Sequence, residues 1–525
     1  MTHQLLYDDT YVYVENTRKC MICLCKCKGD KTMTNSLNHN GRPPYLILAI
    51  LMVGAFISFL NSTFLNVALP SIMAEFKIDT ASAQWLSTSY MLINGILIPI
   101  TAFLIQKYTV RRLFLVAMGL FTTGTTLAGF ANMFPILLAG RMIQASGSAI
   151  MMPLLMNVML VSFPVSKRGS AMGVFGLILM FAPAIGPTLS GWIVGQYNWR
   201  MLFHLVAPIA TIIFITGFIL LKDKKDKVNI QLDMFSLLLS TIGFGGLLYG
   251  FSSAGSIGWG NPQVYGPITI GVLSLTWFIL RQSKLKVPML NFGVFKYPMF
   301  SLASIITVVI NMAMFSGFLL IPIYAQTIIG ISPMETGLMM LPGAILNAFM
   351  SPITGRLFDR FGGRGLALIG LTIIGITTYS FSQLTFDTGF VNLMILHATR
   401  MFGMSMVMMP VSTNGLNQLP PEFYPHGTAM NNTLNQVSGA IGTALLITLM
   451  STRESTVATQ LSAEVIGQIT TTVEQQIALE AMLAGINFAF LVSTFIIIVA
   501  LILALFIKRS TPAIVFSHSD EKLSK

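Results

Sequence analysis

The chain has 525 residues, of which 54% are hydrophobic and only 10% are charged. A soluble globular protein usually carries about 25% charged residues, so this composition excludes that class. Repeated apolar runs of about 20 residues instead predict an all-α polytopic membrane protein. The net charge of +12 is compatible with nucleic-acid binding, but Lys and Arg fall in short loops between the apolar runs. We therefore expect the lipid bilayer as a partner and no nucleic acid.

Residues 1–44 predict a polar cytoplasmic tail, and nothing in them resembles a cleavable signal peptide. All four cysteines lie within eight residues of this tail: Cys20, Cys23, Cys25 and Cys27. Their C-x2-C-x-C-x-C spacing lacks the second separated pair of zinc modules, so we expect no metal. A further hypothesis is that residues 1–32 are not translated and that Met33 or a nearby codon is the start. N-terminal sequencing of native protein that found Met1 or Thr2 would contradict it.

The apolar runs that follow predict fourteen membrane spans. Their limits are 45–66, 84–105, 112–132, 135–161, 169–194, 201–221, 232–252, 265–281, 298–325, 335–354, 365–384, 390–412, 427–451 and 481–507. Basic residues concentrate in alternate loops, which by the positive-inside rule places both termini in the cytoplasm. The longest outer loop, 452–480, is rich in Thr, Gln and Glu and is a candidate for an amphipathic surface helix.

An internal repeat indicates two related halves. Arg141-Met142 followed by Met151-Met152-Pro153 recurs as Arg400-Met401 followed by Met408-Met409-Pro410, and Ser170-Ala171-Met172 recurs as Thr428-Ala429-Met430. The predicted division is a six-helix half (45–221), two linker helices (222–297), a second six-helix half (298–507) and a cytoplasmic tail (508–525). Duplicated halves are typical of secondary transporters, which bind substrate between the halves near the midplane.

The segment 137–153 carries an arginine inside a predicted span. Arg141 cannot lose its charge, and an arginine at mid-membrane costs at least about 2.5–3.5 kcal/mol on insertion scales. One interpretation is that Arg141 lies near a helix end and extends its charged group to the membrane–water interface. At least one apolar turn flanks Arg141 on each side, however, and small residues surround it. We therefore predict a polar site inside a membrane bundle.

These features and the motifs described below, in their order along the chain, resemble the major facilitator superfamily and, within it, the fourteen-span drug:proton antiporters of the EmrB/QacA type. The segment around Arg141 is similar to the span-4 motif of proton antiporters, whose arginine is implicated in proton coupling. Span 5 carries Gly173 and then A-P-A-I-G-P-T-L-S-G (182–191), similar to the antiporter motif G-x8-G-x3-G-P-x2-G-G. Gly186 allows close helix approach and Pro187 bends the helix. The resemblance covers about residues 45–510.

The loop after span 10 is similar to the family signature G-x-L-a-D-R-x-G-R-[KR]. It reads G-R-L-F-D-R-F-G from Gly355 to Gly362, and it includes Asp359 and Arg360. An acid at this turn can pair with a cation or with a helix N-terminus, and breaking that contact would form a gate. The alternative is a solvated basic turn. In the first copy Gln106 and Thr109 replace the acid and the glycine, which places an equivalent contact there in doubt.

Span 1 ends in L-N-S-T-F-L-N-V-A-L-P, where the family motif has aspartate and this chain has Asn61. An asparagine can form hydrogen bonds but cannot exchange a proton near neutral pH. Trp85 and Tyr90 match the family's Q-W-x-x-T-x-Y in span 2. The stretches 410–420 and 431–439 look most similar to the lincomycin-efflux branch.

Polar side chains within the spans are the candidates for a site, although a single asparagine more often joins helices than binds substrate. The coupling candidates are Arg141, Gln144, Asn61, Arg400 and His397, and the gate candidates are Asp359, Arg360, Gly355, Gly186 and Pro187. The cavity candidates are Trp85, Tyr90, Asn94, Asn311, Asn432, Asn435 and Gln436. Acids are almost absent from the spans, so a neutral His397 is the one proton acceptor that we propose. Ordinary packing accounts for most of the 34 methionines, and some of the set Met151, Met152, Met404, Met406, Met408 and Met409 are candidates to line a cavity for varied apolar guests.

The sequence therefore predicts a fourteen-helix exporter in a bacterial cytoplasmic membrane, and no enzyme. The resemblance implies alternating access, export of amphipathic drugs such as lincosamides, dyes and quaternary amines, and a proton gradient rather than a cofactor as the energy source. We expect small amphipathic substrates and protons as partners, and a monomer. Three alternatives remain: an exporter of an endogenous lipid, peptide or metabolite; a membrane-embedded enzyme, for which facing His, Asp or Glu clusters are missing; and a structural or sensor protein.

Overall fold

A computed structural model describes four stretches of the chain: 45–78, 80–222, 233–464 and 471–509. The chain divides into two units, Met1–Pro44 and Tyr45–Lys525, and every described residue belongs to the second. The cysteine cluster and Met33 therefore lie outside the described residues. The same is true of 223–232, within the predicted linker.

The described residues form α-helices joined by short loops, with no β-strand among them. The helices are α1 (Tyr45–Phe76), α2 (Thr80–Lys107), α3 (Val110–Gly129), α4 (Phe134–Ser162), α5 (Arg168–Gln196), α6 (Met201–Leu220), α7 (Met234–Ile257), α8 (Pro262–Gln282), α9 (Pro298–Ile323), α10 (Pro333–Phe361), α11 (Gly363–Phe381), α12 (Phe390–Ser405), α13 (Met408–Asn417), α14 (Tyr424–Glu464) and α15 (Thr471–Ala504). A π-helical turn, Tyr324–Ile328, extends α9.

All fourteen predicted spans coincide with helices. Within the described residues, thirteen segments are long and apolar enough to cross a bilayer, and α12 and α13 together make one of them, Phe390–Asn417. Helix α5 is outside those thirteen, but its 29 residues extend over roughly 43 Å at 1.5 Å per residue. The prediction of a polytopic helical membrane protein is confirmed.

The predicted outer loop 452–480 is wrong as a loop. Helix α14 continues through 41 residues to Glu464, and α15 begins at Thr471, so most of this polar stretch prolongs two spanning helices. Ala, Glu and Gln favour helix, and Thr456 and Thr459 each donate a hydrogen bond to the carbonyl one turn before them. The polar composition of this stretch therefore did not mark the ends of the two helices.

The predicted span 390–412 is broken near its middle. Helix α12 ends at Ser405 and α13 begins at Met408, with Met406 and Val407 between them. Pro410 has no N–H to donate to the carbonyl of Met406 four residues earlier, which explains the break. Along the chain, the break lies just after Arg400, on the C-terminal side of that residue.

Helices α5 and α10 pack closely along their length. A Cβ added at Gly173 would overlap the carbonyl oxygen of Ser351, and one added at Gly355 would overlap the carbonyl oxygen of Gly169. Small residues allow two backbones in a membrane to touch in this way. The contact joins a helix of the first predicted half to a helix of the second. We call the end of the bundle that carries the loops 107–111, 163–168 and 360–364 the basic end.

Candidate functional site

The buried guanidinium of Arg141 in α4 is the centre of a group of polar side chains. Arg141 is 1% exposed, and its Nη1 donates to Asn61 Oδ1 of α1 at 3.0 Å and to Gln144 Oε1 at 2.6 Å. Gln144 Nε2 donates to Thr125 Oγ1 of α3 at 2.7 Å, and the guanidinium lies 4.3 Å above the ring of Tyr90 in α2. These five residues, from four helices, form what we call the Arg141 cluster.

Small residues position the cluster by letting α3 and α4 touch. A Cβ added at Gly124 would lie 2.6 Å from the carbonyl oxygen of Gly140, and one added at Gly140 would lie 2.9 Å from the backbone nitrogen of Ala128. This contact brings Gln144 against Thr125. The small residues that the sequence places around Arg141 therefore fix the geometry of the side chains that hold it.

The corresponding arginine of the repeat, Arg400 in α12, is also fully buried, at 0% exposure. Its Nη2 donates to the carbonyl oxygen of Ala313 in α9 at 3.2 Å. A Cβ added at Gly317 would overlap Nη1, so a larger residue there would require the guanidinium to shift. His397 is also buried one turn away, and its Nδ1 has no hydrogen-bond partner among the described residues.

The carboxylate of Asp359, at the end of α10, binds the N-terminus of α5. Its Oδ1 accepts from the backbone N–H of Gly169 at 2.7 Å. Its Oδ2 accepts from the N–H of Ser170 at 2.8 Å and from the Ser170 hydroxyl at 2.6 Å. These N–H groups have no partner within the helix, and the helix dipole favours a negative charge beside them. We call this contact the Asp359 latch, and Arg509 donates to the backbone carbonyl of Asp359 at 2.7 Å.

The other gate candidates lie at different places. Gly355 packs on Gly169 beside the latch, whereas Arg360 is exposed and lies 5.2 Å from the ring of Phe361. Gly186 is in α5 against α1, where an added Cβ would overlap the Thr63 hydroxyl. The side chain of Pro187 lies outside the described residues.

A histidine that the sequence analysis missed joins three segments at the basic end. His426 of α14 accepts at Nδ1 from the backbone N–H of Asn291 at 3.1 Å, and its Nε2 lies 3.2 Å from the side-chain amide of Gln106. A neutral ring that accepts at Nδ1 carries its proton on Nε2, and this nitrogen then contacts the amide nitrogen of Gln106 without donating to it. We call this contact the His426 junction.

The repeat carried the signal for this residue. Extending its Ser-Ala-Met and Thr-Ala-Met echoes backwards aligns Arg168-Gly169-Ser170 with His426-Gly427-Thr428. Gln106 occupies the position of Asp359 in the first copy of the loop motif. The counterpart of the Asp359 latch therefore exists, as a contact between two uncharged side chains.

Two further sets of contacts lie at the basic end, and those of Arg168 join the two predicted halves. Arg168 Nη1 donates to Asn417 Oδ1 at 3.2 Å, and the Arg168 guanidinium lies 4.8 Å from the ring of Tyr424. Asn414 Nδ2 donates to the carbonyl oxygen of Lys508 at 2.9 Å. Together with the latch and the junction, these contacts close this end of the bundle.

Two ion pairs lie at helix ends. Arg281 Nε donates to Asp233 at 2.8 Å, and this hydrogen bond holds the pKa of the Asp233 carboxyl at about 2. Burial raises the pKa of Glu75, but hydrogen bonds from Arg200 and Trp199 outweigh it and lower the pKa overall. Both carboxyls are therefore ionised near neutral pH, and neither faces the Arg141 cluster.

The cavity candidates do not form a single group. Tyr90 is part of the Arg141 cluster, and buried Asn94 lies one turn beyond it on α2. Trp85 is 41% exposed and stacks on Tyr249 of α7 with ring centres 5.8 Å apart. It therefore contacts one of the two predicted linker helices.

The remaining candidates lie on α9 and α14. Asn311 Nδ2 donates to Asn435 Oδ1 at 2.7 Å, which joins these two helices. Asn432 Nδ2 donates to the carbonyl oxygen of Thr428 in its own helix at 2.8 Å. Gln436 is half-buried. A small cavity near the basic end is lined by Gly176, Asn347, Ser351, Met404, Ser405, Met408 and Met409.

Comparisons with known proteins place these features in a family. Residues 51–443 match the sequence profile of the Major Facilitator Superfamily. The chain is 48% identical to the uncharacterized MFS-type transporter YcnB of Bacillus subtilis (strain 168), over 91% of this chain and 98% of that protein. It is 41% identical to the lincomycin resistance protein LmrB of the same organism, over 88% and 95%.

Among solved structures, the crystal structure of the human organic anion transporter MFSD10 (TETRAN) matches with a TM-score of 0.62 at 12% identity. The match covers 88% of this chain and 100% of that one. At this identity the likeness concerns the fold alone. The profile match and the two bacterial relatives identify the family independently. The chain is a multi-pass membrane transporter rather than an enzyme, and it belongs to the Major Facilitator Superfamily.

Proposed function

We propose that this chain is a multidrug exporter that moves amphipathic compounds out of a bacterial cell by alternating access. Both termini lie in the cytoplasm, two six-helix halves (45–221 and 298–507) move against each other, and a proton gradient drives the cycle. The similarity to LmrB, whose name records lincomycin resistance, supports drugs as the substrates. Lincosamides, dyes and quaternary amines are the compounds to test first. The protein works as a monomer.

The observation that carries the proposal is the Asp359 latch. It joins α10 of one half to the N-terminus of α5 of the other through hydrogen bonds and charge, with both partners at the edge of the bundle. Such a contact can break and re-form without unfolding a helix. With the latch closed, the basic end is shut. Opening it would expose the α5–α10 interface and the residues above it to the cytoplasm.

The Arg141 cluster supplies the polar site at the centre of the transport path. Its arginine is held by side chains from four helices, all of which belong to the first predicted half. No Asp or Glu occurs between residues 80 and 222, so the cluster has no carboxylate to carry a proton. We propose His397, whose Nδ1 has no partner among the described residues, as the proton acceptor in the second half.

Drug-susceptibility testing of a deletion strain tests the substrate class. We expect lower inhibitory concentrations for at least one of lincosamides, dyes and quaternary amines. Unchanged values for all three would reject drug export and favour an endogenous lipid, peptide or metabolite. Efflux in energised inverted vesicles tests the energy source, since an uncoupler should abolish it. Undiminished transport would rule out proton drive.

Substitution of Arg141 tests the central site. We expect Arg141→Ala and Arg141→Lys each to reduce vesicle transport to background while membrane insertion is retained, because neither side chain can contact Asn61, Gln144 and Tyr90 together. Arg453→Ala is the matched control, since Arg453 is exposed near the end of α14. Transport at the wild-type rate in Arg141→Ala would assign Arg141 a purely structural role.

A further inference from the structure

The charge of Arg141 is not balanced by any carboxylate in the described part of the chain. Its acceptors are the uncharged amides of Asn61 and Gln144, and its ring contact is with Tyr90. Two of the described acids have other partners: Glu75 pairs with Arg200, and Asp359 caps α5. A guanidinium keeps its charge at any physiological pH, so this half of the membrane domain holds a buried positive charge.

Several hydrogen-bond donors in the same cluster also lack a partner. Arg141 Nε, Asn61 Nδ2 and the Tyr90 hydroxyl are buried and form no hydrogen bond with any described residue. The three side chains are 1%, 2% and 6% exposed. Unsatisfied donors at this depth are costly, so a cluster of them around one cation indicates a bound acceptor.

The geometry of the guanidinium indicates which acceptor fits. Both hydrogen bonds of Arg141 to its neighbours use Nη1. At the opposite edge, formed by Nε and Nη2, buried Nε has no partner among the described residues, and no hydrogen bond joins Nη2 to any of them. That edge presents two parallel N–H groups, the arrangement that binds a carboxylate or phosphate through two hydrogen bonds.

We propose that the Arg141 cluster binds an anionic oxygen group, and that this group is the carboxylate of the exported amphiphile. The inference rests on the proposed export function and narrows its substrate class. The anion occupies the Nε–Nη2 edge, and Asn61 Nδ2 and the Tyr90 hydroxyl donate to it. A quaternary amine is repelled from the same place, so this inference removes quaternary amines from the substrates proposed above. Asn61 in this chain thus leaves the arginine free for an anion, whereas an aspartate there would neutralise it.

Equilibrium binding to the purified full-length chain in a neutral detergent tests the proposal without transport. The probes are radiolabelled 1-naphthylacetate and its uncharged isostere 1-naphthylacetamide, measured by scintillation proximity. We expect the acid to bind at least about 10-fold more tightly than the amide, because a buried charge pair outweighs a neutral contact of the same shape. Tetramethylammonium should not displace it. Equal affinities for acid and amide would overturn the proposal without any variant being made.

Asn61→Asp is the sharpest variant. It places a carboxylate where the Asn61 amide lies 3.0 Å from Nη1, so the fold keeps its contact and gains an ion pair. We expect affinity for 1-naphthylacetate to fall about 10-fold or more while the amide is unaffected. Asn198→Asp adds the same charge at an exposed position beside Arg200 and should leave binding unchanged. Unaltered acid binding in a folded Asn61→Asp protein would reject the site.

A lipid headgroup is the other source of an anionic oxygen. Titration with phosphatidylglycerol distinguishes the two, because displacement of 1-naphthylacetate at one lipid per protein would assign the site to lipid and overturn the substrate assignment. We expect no displacement at that ratio. The binding assay is independent of drug export. If vesicles fail to transport drugs while the acid binds, the proposed function fails alone; if transport succeeds without acid binding, this inference fails alone.

Discussion

Asp359→Asn removes the charge of the latch but keeps its size and one acceptor oxygen. In the structure the carboxylate accepts three hydrogen bonds, at 2.7, 2.8 and 2.6 Å, from Gly169 and Ser170. A hydrogen bond to a charged group contributes about 1.5–3 kcal/mol, and the helix dipole adds about 0.3–1 kcal/mol. Because the site is half-buried and the amide retains part of the contact, we expect a net loss of about 2 kcal/mol. That loss shifts the equilibrium about 30-fold towards an open basic end.

Thiol labelling of Ser351→Cys, in a variant without the four native cysteines, measures this shift. Ser351 is buried on α10 against Gly173 of α5, so its labelling rate reports opening of the α5–α10 interface. With opening faster than labelling, the rate follows the open population and should rise about 30-fold in Asp359→Asn. Asp387→Asn removes an equal charge from an exposed loop and is the control. An unchanged labelling rate would refute the assignment of Asp359 as a gate.

Two further predictions concern the second arginine, Arg400, and the ion pair between Asp233 and Arg281. Gly317→Ala places a methyl group on the Arg400 guanidinium and should lower the free energy of unfolding by about 1–3 kcal/mol, measured by thermal unfolding. Gly365→Ala is the control, because its methyl group meets no atom within 4 Å, and it should not lower stability. Equal effects of the two substitutions would contradict the packing at Arg400. The pKa of Asp233 is lowered to about 2 by Arg281, so its contribution is fully present above about pH 4 and is lost as pH falls towards 2. The difference in unfolding temperature between wild type and Asp233→Asn should therefore be constant from pH 5 to 8 and should disappear below pH 4. A difference that disappears above pH 5 would contradict this.

Apolar periodicity and composition were sufficient to predict the helices, because a membrane leaves the backbone few alternatives. The burial of Arg141 followed from the apolar turns on both sides of it. The partner of Asp359 did not, because the N-terminus of α5 lies 190 residues away in sequence. The type of partner, a cation or a helix N-terminus, was nevertheless predicted from the chemistry of a carboxylate.

The failures have local physical causes. The stretch 452–480 was predicted to be a loop because it is rich in Thr, Gln and Glu. Polar composition, however, does not determine where a helix ends. The break after Ser405 was not predicted. It depends on Pro410, which has no N–H to donate to the carbonyl four residues before it. His426 was missed because its partners, Gln106 and Asn291, come from distant segments, although the repeat aligns it with Arg168.

The two related contacts at the basic end differ in one physical respect. The Asp359 latch depends on a full negative charge, whereas the His426 junction joins an imidazole to an amide and a backbone N–H. Dissolved ions screen the first and leave the second almost unaffected. High ionic strength should therefore loosen the α5–α10 side of the bundle before the α2–α14 side. The repeat thus places two corresponding contacts at one end of the bundle, and we expect only the charged one to respond to the salt content of the cell.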